Sequence, residues 1–213
     1  LSVQLENSSR QAVVDLADWH QVIARNLLPL AIKSSSSRCD FRADIRVRRT
    51  ADMRLVTISG SPQAFERIPG RSDEISEPHF TLTLQLSGAG SIRHGDHEDL
   101  LRPGDIALCD WTSRYGRAFD TDFSVFTVMF PQRLMSVPAS VLPRVIGRRI
   151  SGSDGLGNVS SAMLTALSKN TDALHGGPGA SVVYSAIQVG AAACCPSLNV
   201  PTMASLSMTV MPI

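Results

Sequence analysis

The densest group of side chains able to do acid–base or metal chemistry lies in 88-GAGSIRHGDHEDLLRPGDIALCD-110, where His94 and His97 flank Gly95-Asp96 and Glu98, Asp99, Asp105, Cys109 and Asp110 follow. Imidazole and carboxylate are transition-metal ligands, so the cluster raises the question of a metal centre. The local spacing points elsewhere. Gly-Asp between two short runs suits a tight hairpin turn, whose tip is usually solvated and turned away from a sheet's interior. Pro103-Gly104-Asp105 reads as a second turn, in which Asp105 accepts local backbone N–H bonds. No Gly-x-Ser-x-Gly elbow, Walker loop or dinucleotide fingerprint occurs. The run 152-GSDGLG-157 lacks lysine and reads as the loop before a helix. No catalytic residue, metal or cofactor is expected.

The elements that must hold these residues are read from period and punctuation. At 213 residues the chain fits one ordinary domain, with or without an appendage, and can bury a substantial core. Its 20 Lys and Arg against 19 Asp and Glu leave a net charge of +1, which gives no general attraction to nucleic acid or an acidic membrane. Cys39, Cys109, Cys194 and Cys195 have neither zinc nor disulfide-scaffold spacing, so a reducing, cytoplasmic setting is expected. No apolar run approaches the ~20 residues of a membrane span and no signal-peptide pattern opens the chain, so a soluble protein without membrane contact is expected.

Leu16, Trp19, His20, Ile23 and Leu27 recur at helical spacing before Pro29, predicting an amphipathic helix, and 34-SSSS-37 reads as a linker or loop. From Phe41 the period becomes two, with Phe41, Ala43, Ile45 and Val47 alternating with Arg42, Asp44, Arg46 and Arg48. In 80-FTLTLQLS-87, Phe80, Leu82, Leu84 and Leu86 share one face and Thr81, Thr83 and Gln85 the other, a strand with one apolar face. Short strands are expected at 91–94, 98–101, 106–109 and 123–130, and this succession predicts an antiparallel sandwich or barrel. The basic 46-RVRRT-50, with Arg42, reads as the solvated face of an edge strand and not as a nucleic-acid site. After Pro131 helical spacing returns: Val159, Ala162, Met163, Ala166 and Leu167 form a stripe capped by Asn158. A second helix is expected from Pro178, with Val182, Ala186 and Val189 on one stripe. Residues 176–213 contain no Asp, Glu, Lys or Arg, and Pro196, Pro201 and Pro212 break any helix there.

This succession resembles the N-terminal effector-binding domain of AraC-type transcriptional regulators, in the branch that opens with a Trp-bearing helix. The residues that carry the resemblance are Trp19, 28-LPL-30, Phe41, 80-FTLTLQLSGAGSI-92, 102-RPGDIALCD-110, Tyr115 and 130-FPQRL-134, over roughly residues 12 to 170. It implies an α+β, mainly β fold: a cupin-like antiparallel β-barrel or sandwich with an N-terminal helix and C-terminal helices. The corresponding division is an N-terminal helix and linker (1–37), a cupin-like effector domain (38–135), a helical dimerisation region (136–193) and an irregular tail (194–213). The implied partners are a small-molecule effector of unknown identity and a second copy of the chain, the homodimer forming through Val159, Ala162, Met163, Ala166 and Leu167. Regulators of this type bind DNA through a further domain with two helix-turn-helix units. The chain is expected to be truncated before it, a frameshift or early stop accounting for the charge-free tail.

Metal-binding cupins use two His, a Glu and, beyond a Pro-Gly turn, a further His. Aligned on Gly88, the first three positions fall near Ile75 and Glu77 and on Thr81, and the last close to Tyr115, so the implied barrel has no metal centre. A small cupin-type isomerase or dioxygenase is the alternative and would need that centre. The effector is expected at the barrel mouth against Trp111 and Tyr115, each a stacking face with a polar handle. His79 and Arg67, near strand starts, could reach a polar or anionic effector. Ordinary packing serves Trp111 and Tyr115 as well as ligand contact does, and surface placement is the simpler expectation for His79, Arg67 and Arg114.

Overall fold

The computed structural model describes residues 8–27, 29–34, 40–69 and 78–195. Cys39, Ile75, Glu77, the Ser run beyond Ser34 and the stretch from Pro196 onward lie outside the described residues. The larger of two antiparallel sheets runs in the order β1 (Ser8–Val13), β3 (Ala43–Thr50), β4 (Met53–Gly60), β11 (Phe123–Pro131), β6 (His79–Ser87), β9 (Ile106–Asp110) and β12 (Arg149–Ile150). The smaller runs β2 (Ala31–Ser34), β5 (Gln63–Arg67), β10 (Tyr115–Phe119), β7 (Gly90–His94) and β8 (His97–Leu101). The described residues also form the α-helices α1 (Leu16–Asn26), α2 (Leu142–Val145), α3 (Gly155–Lys169) and α4 (Gly176–Cys194). The result is the cupin-like, mainly β architecture expected.

The alternation read in 80-FTLTLQLS-87 is present, but neither face meets water. Phe80, Leu82 and Leu84 pack outward with Phe126, Val128 and Phe130 of β11 under Leu164, Leu167, Val183, Ala186 and Ile187 of α3 and α4. Each such side chain taken from water contributes about 2 kcal/mol. Thr81, Thr83 and Gln85 face the barrel interior and are buried too, at 4%, 5% and 0% exposure. The centre of the larger sheet is therefore apolar outside, beneath helices, and partly polar inside. A second apolar cluster between the sheets joins Ile45, Val56 and Val125 to Phe65 and Phe119.

Residues 8–34 contribute directly to this barrel. β1 pairs with β3, and β2 pairs with β5; no alternation pattern marks either short strand. Asp15 caps α1 by accepting from the N–H groups of Ala17 and Asp18 at 2.7 and 3.3 Å. Trp19 is fully buried and donates its indole N–H to Gln63 Oε1 at 2.8 Å, pinning α1 to β5. Pairing with β1 also corrects the edge-strand reading of 46-RVRRT-50, because β3 is internal to its sheet. Arg48 donates to the backbone carbonyls of Thr171 and Asp172, tying β3 to the α3–α4 connection.

Both C-terminal helices form, rotated from the expected stripes. On α3 the buried face is Gly157, Ser160, Ser161, Leu164 and Leu167; Val159, Ala162 and Ala166 are exposed and Met163 is half-buried. Leu167 thus belongs to this domain's own core and is corrected as a dimer-face residue. Asp154, not Asn158, occupies the cap position; Asn158 lies within the helix and donates from Nδ2 to Gly152 O at 3.0 Å. α4 buries Val183, Ala186, Ile187, Gly190 and Ala191, leaving Val182 exposed. The charge-free composition from residue 176 to 194 is that of a core helix. Gly190 is required by proximity, since a Cβ there would lie 2.4 Å from Leu82 Cδ2.

The Pro103-Gly104-Asp105 turn anchors β9 to the helical layer. Asp105 is 4% exposed, and its Oδ2 accepts from Arg102 N–H at 2.9 Å and Arg149 Nε–H at 2.7 Å, while Oδ1 accepts from Gly152 N–H at 3.2 Å. Burial pushes this carboxyl up, but the Arg149 bond and the two backbone donors outweigh it and hold the pKa below the ordinary 3.8. A lowered folded pKa gives stability that is fully present above the unfolded value and lost as pH falls through the folded one. Asp105→Asn is expected to lower unfolding free energy by about 2 kcal/mol at neutral pH and to flatten its decline on acidification. Urea unfolding measured down to about pH 3 checks this; an acid limb as steep as the parent's would remove Asp105 from the role.

Candidate functional site

A cavity of about 70 Å³ lies inside the barrel, several times the ~10–15 Å³ one water needs on the same measure. The larger sheet supplies Ile58 from β4, Thr81 and Thr83 from β6, Cys109 from β9, and Val125 and Thr127 from β11. The smaller sheet supplies Phe65 from β5 and Tyr115, Arg117 and Phe119 from β10, while Trp111 follows β9 and Leu27 and Leu30 come from the α1–β2 connection. Strand period explains the set: each is an inward position two residues from the next. Thr83 and Thr127 face each other across β6 and β11, their hydroxyls bonded at 3.0 Å. Phe119 stacks on Phe123 at 3.8 Å, and Phe65 meets both edge-on.

Arg117 is the one cationic side chain among the described lining residues. It is 9% exposed, donates from Nη2 to Gln85 Oε1 at 3.0 Å and stands 5.3 Å from the Phe119 ring centroid. Gln85 in turn donates to Ser87 O at 2.9 Å. Burial lowers the Arg117 pKa, while Cys109 and Tyr115 raise it slightly. Burial pushes the Cys109 thiol up to about 11, against the opposing pulls of Arg117 and the Thr81 hydroxyl. The Tyr115 phenol is raised above its usual value chiefly by burial. The cavity thus presents a protonated thiol, a protonated phenol, three threonine hydroxyls and one guanidinium. Trp111 Nε1 and Arg117 Nε are buried without a hydrogen-bond partner.

Of the four residues singled out in the sequence, Trp111 and Tyr115 line the cavity and His79 and Arg67 do not. Arg67 is neither at a strand start nor on the surface: it closes β5 and is 1% exposed. Its Nε–H donates to Trp111 O at 3.2 Å, and His79 O accepts from Trp111 N–H at 3.1 Å. Both residues are hydrogen-bonded to the Trp111 backbone beside the cavity. Arg114 is exposed and pairs with Glu66 at 2.6 Å. His94 and His97 close the β7–β8 hairpin as opposed partners around Gly95, whose φ is 58°. His94 is not a free tip residue, because its Cβ packs so closely on Gly147 that a side chain there would collide with it. Among the described residues no three His, Cys, Asp or Glu side chains come together as a metal would require, and no helix is long and apolar enough to cross a membrane.

Sequence reasoning missed Arg117, Cys109 and the three threonines. The signal for Thr81 and Thr83 was the clean alternation of β6, whose polar face turns inward because α3 and α4 take the apolar one. β10 has Tyr115, Arg117 and Phe119 on one face, but the intervening Gly116 and Ala118 make its alternation faint.

Fold and site together define a cupin-like β-barrel with a small, polar-lined internal cavity, roofed by an N-terminal helix and backed by two C-terminal helices. The chain matches the AraC-binding-like domain family over residues 19–193 and belongs to that family. An uncharacterised protein encoded in the nit 5′ region of Bacillus sp. (strain OxB-1) is 27% identical over 84 residues, 39% of this chain and 33% of that protein, so the match spans about a third of that relative's length. The solved structure of the AraC-like transcriptional activator CuxR superposes with a TM-score of 0.74 at 17% identity, covering 88% of this chain and 70% of that one, a likeness of fold. A cupin superfamily protein from Desulfitobacterium hafniense aligns over 48% of this chain and 78% of its own, at 14% identity and a TM-score of 0.32.

A thiol with its pKa pushed up to about 11 is protonated near neutrality and is a poor nucleophile. Iodoacetamide applied to the native protein at about pH 8 is expected to leave Cys109 unmodified, with alkylation appearing only in denaturant. Peptide mass mapping reads the outcome, and rapid native labelling of Cys109 would mean an open, ionised thiol.

Proposed function

We propose that this domain is the ligand-sensing and dimerising module of an AraC-type transcriptional regulator, working in a reducing, cytoplasmic setting. The observation that carries the reading is the cavity: polar groups from both sheets converge on one internal space, an arrangement that costs stability unless a ligand or solvent satisfies them. Its described lining offers hydroxyls, a thiol, a phenol and a guanidinium but no imidazole or carboxylate, a set suited to orienting a ligand. Trp111 and Tyr115 would contact the effector, with Arg67 and His79 positioning Trp111.

The helical region, residues 136–193 in this reading, would carry the dimer contact. Leu156 and Val159 on α3 and Val182 and Tyr184 on α4 are 51%, 52%, 44% and 44% exposed, apolar or aromatic side chains on surfaces the barrel leaves uncovered. Effector binding would shift the population of dimer arrangements by favouring the one that binds it better.

Sedimentation equilibrium at about 10 μM is expected to find a dimer, and Val159→Asp with Val182→Asp is expected to give a folded monomer whose Tm stays within about 2 °C of the parent's. A thermal-shift panel of sugars, amino acids, organic acids and lipids is expected to contain a stabilising ligand whose effect Trp111→Ala abolishes. A protein that is strictly monomeric at high micromolar concentration would count against the dimer; a panel without any stabilising ligand would count against the sensor.

A further inference from the structure

Building on the effector-site reading of the cavity, we propose that the ligand is a small monocarboxylate, its anionic group held by Arg117 and Trp111. Among the described residues, Arg10, Arg42, Arg93, Arg114, Arg133, Arg148 and Arg149 pair with carboxylates. These have exposed or partly exposed side chains. Arg117, 9% exposed inside the barrel, has the neutral Gln85 as its hydrogen-bond partner instead. A guanidinium keeps its proton at pH 7 even when burial lowers its pKa, so the cavity carries a full, desolvated positive charge. No described lining residue is an Asp or Glu, and the two weak acids facing Arg117, Cys109 and Tyr115, are both held protonated by burial. A buried charge without a counter-ion is costly, and an anion entering the cavity removes that cost.

The second observation is independent of charge. Arg117 Nε and Trp111 Nε1 are both buried, both donors and both without an acceptor, on residues that line the same cavity. Unmet donors on two residues of one cavity are groups that an acceptor-only anion would satisfy, and a carboxylate is the anion whose plane best suits a guanidinium. Phe65, Phe119, Leu30 and Val125 leave an apolar remainder for a short hydrocarbon body, and a cavity of about 70 Å³ limits its size. Gln85 accepts from Nη2 and so helps fix the orientation of the guanidinium.

The experiment titrates the full chain with propionate, isobutyrate and isovalerate, and with the matching amides, following Trp fluorescence and Tm at constant ionic strength. Carboxylates are expected to bind and stabilise, the amides to bind roughly 10- to 100-fold more weakly. Arg117→Met is expected to lose carboxylate binding by a similar factor and to raise the Tm of the unliganded protein, since it removes an unpaired buried charge; Arg117→Lys keeps part of the binding. If Arg117→Met fails to fold, the carboxylate–amide comparison on the parent decides alone. Amides binding as well as acids, or full carboxylate affinity in Arg117→Met, would overturn the assignment while leaving an effector cavity. Binding by neither series would also overturn it, and the broader panel and the dimer measurement then judge the sensor reading separately.

Discussion

Burial of β6, β9 and β11 on both faces is the constraint from which the rest of the molecule follows. A sheet with one face in water keeps polar residues outside and apolar ones toward its partner sheet. Here α3 and α4 claim the apolar face of β6, β9 and β11, so the alternate positions must point into the barrel whatever their chemistry. That geometry puts Thr81, Thr83, Cys109 and Thr127 around a common space and makes a polar interior a by-product of helix docking. The aromatic stack of Phe65, Phe119 and Phe123 and the apolar cluster around Ile45 and Val56 offset that polarity at one side of the barrel.

The polar interior is only partly self-satisfied. Thr83 and Thr127 bond each other, and Gln85 serves both Arg117 and the Ser87 carbonyl. Among the described residues, what stays unmet is on Arg117 and Trp111 at the cavity, together with the hydroxyls of Thr50 and Ser160 elsewhere. Native interiors leave few such groups, and two of them fall on residues that line one cavity. α1 completes the enclosure: the Trp19–Gln63 bond seats the helix, which delivers Leu27 to the cavity wall, with Leu30 following it.

Much of this was legible in the sequence, and the failures have physical causes. The strand at 80–87, both turns around Gly95 and Gly104, the helix bearing Trp19 and the cupin-like architecture follow from period, turn chemistry and resemblance, and Asp105 does accept the local N–H bond its position implied. The side of β6 that faces the cavity did not follow, because alternation gives two faces without saying which is covered. Helix stripes on α3 and α4 were drawn through Val159 and Val182, whereas the sheet takes the faces bearing Leu164 and Val183; small residues such as Gly157, Ser160 and Gly190 permit the close approach and carry no hydrophobic signal. β1 and β2 are short strands whose existence depends on partners far along the chain. Arg67 looked like a surface residue because arginine usually is one, and its burial is decided by the Trp111 carbonyl it meets.

The contact between Gly190 and Leu82 gives the wall of the cavity an unusual mechanical character. With no Cβ on the helix and a leucine methyl pressed against its backbone, α4 and β6 share a joint without slack. Thr81 and Thr83, the residues on either side of Leu82, stand on the cavity face of the same strand. A strand so backed cannot bow outward to enlarge the cavity unless the helix travels with it, so the chamber's dimensions and the seating of α4 are one adjustable quantity rather than two.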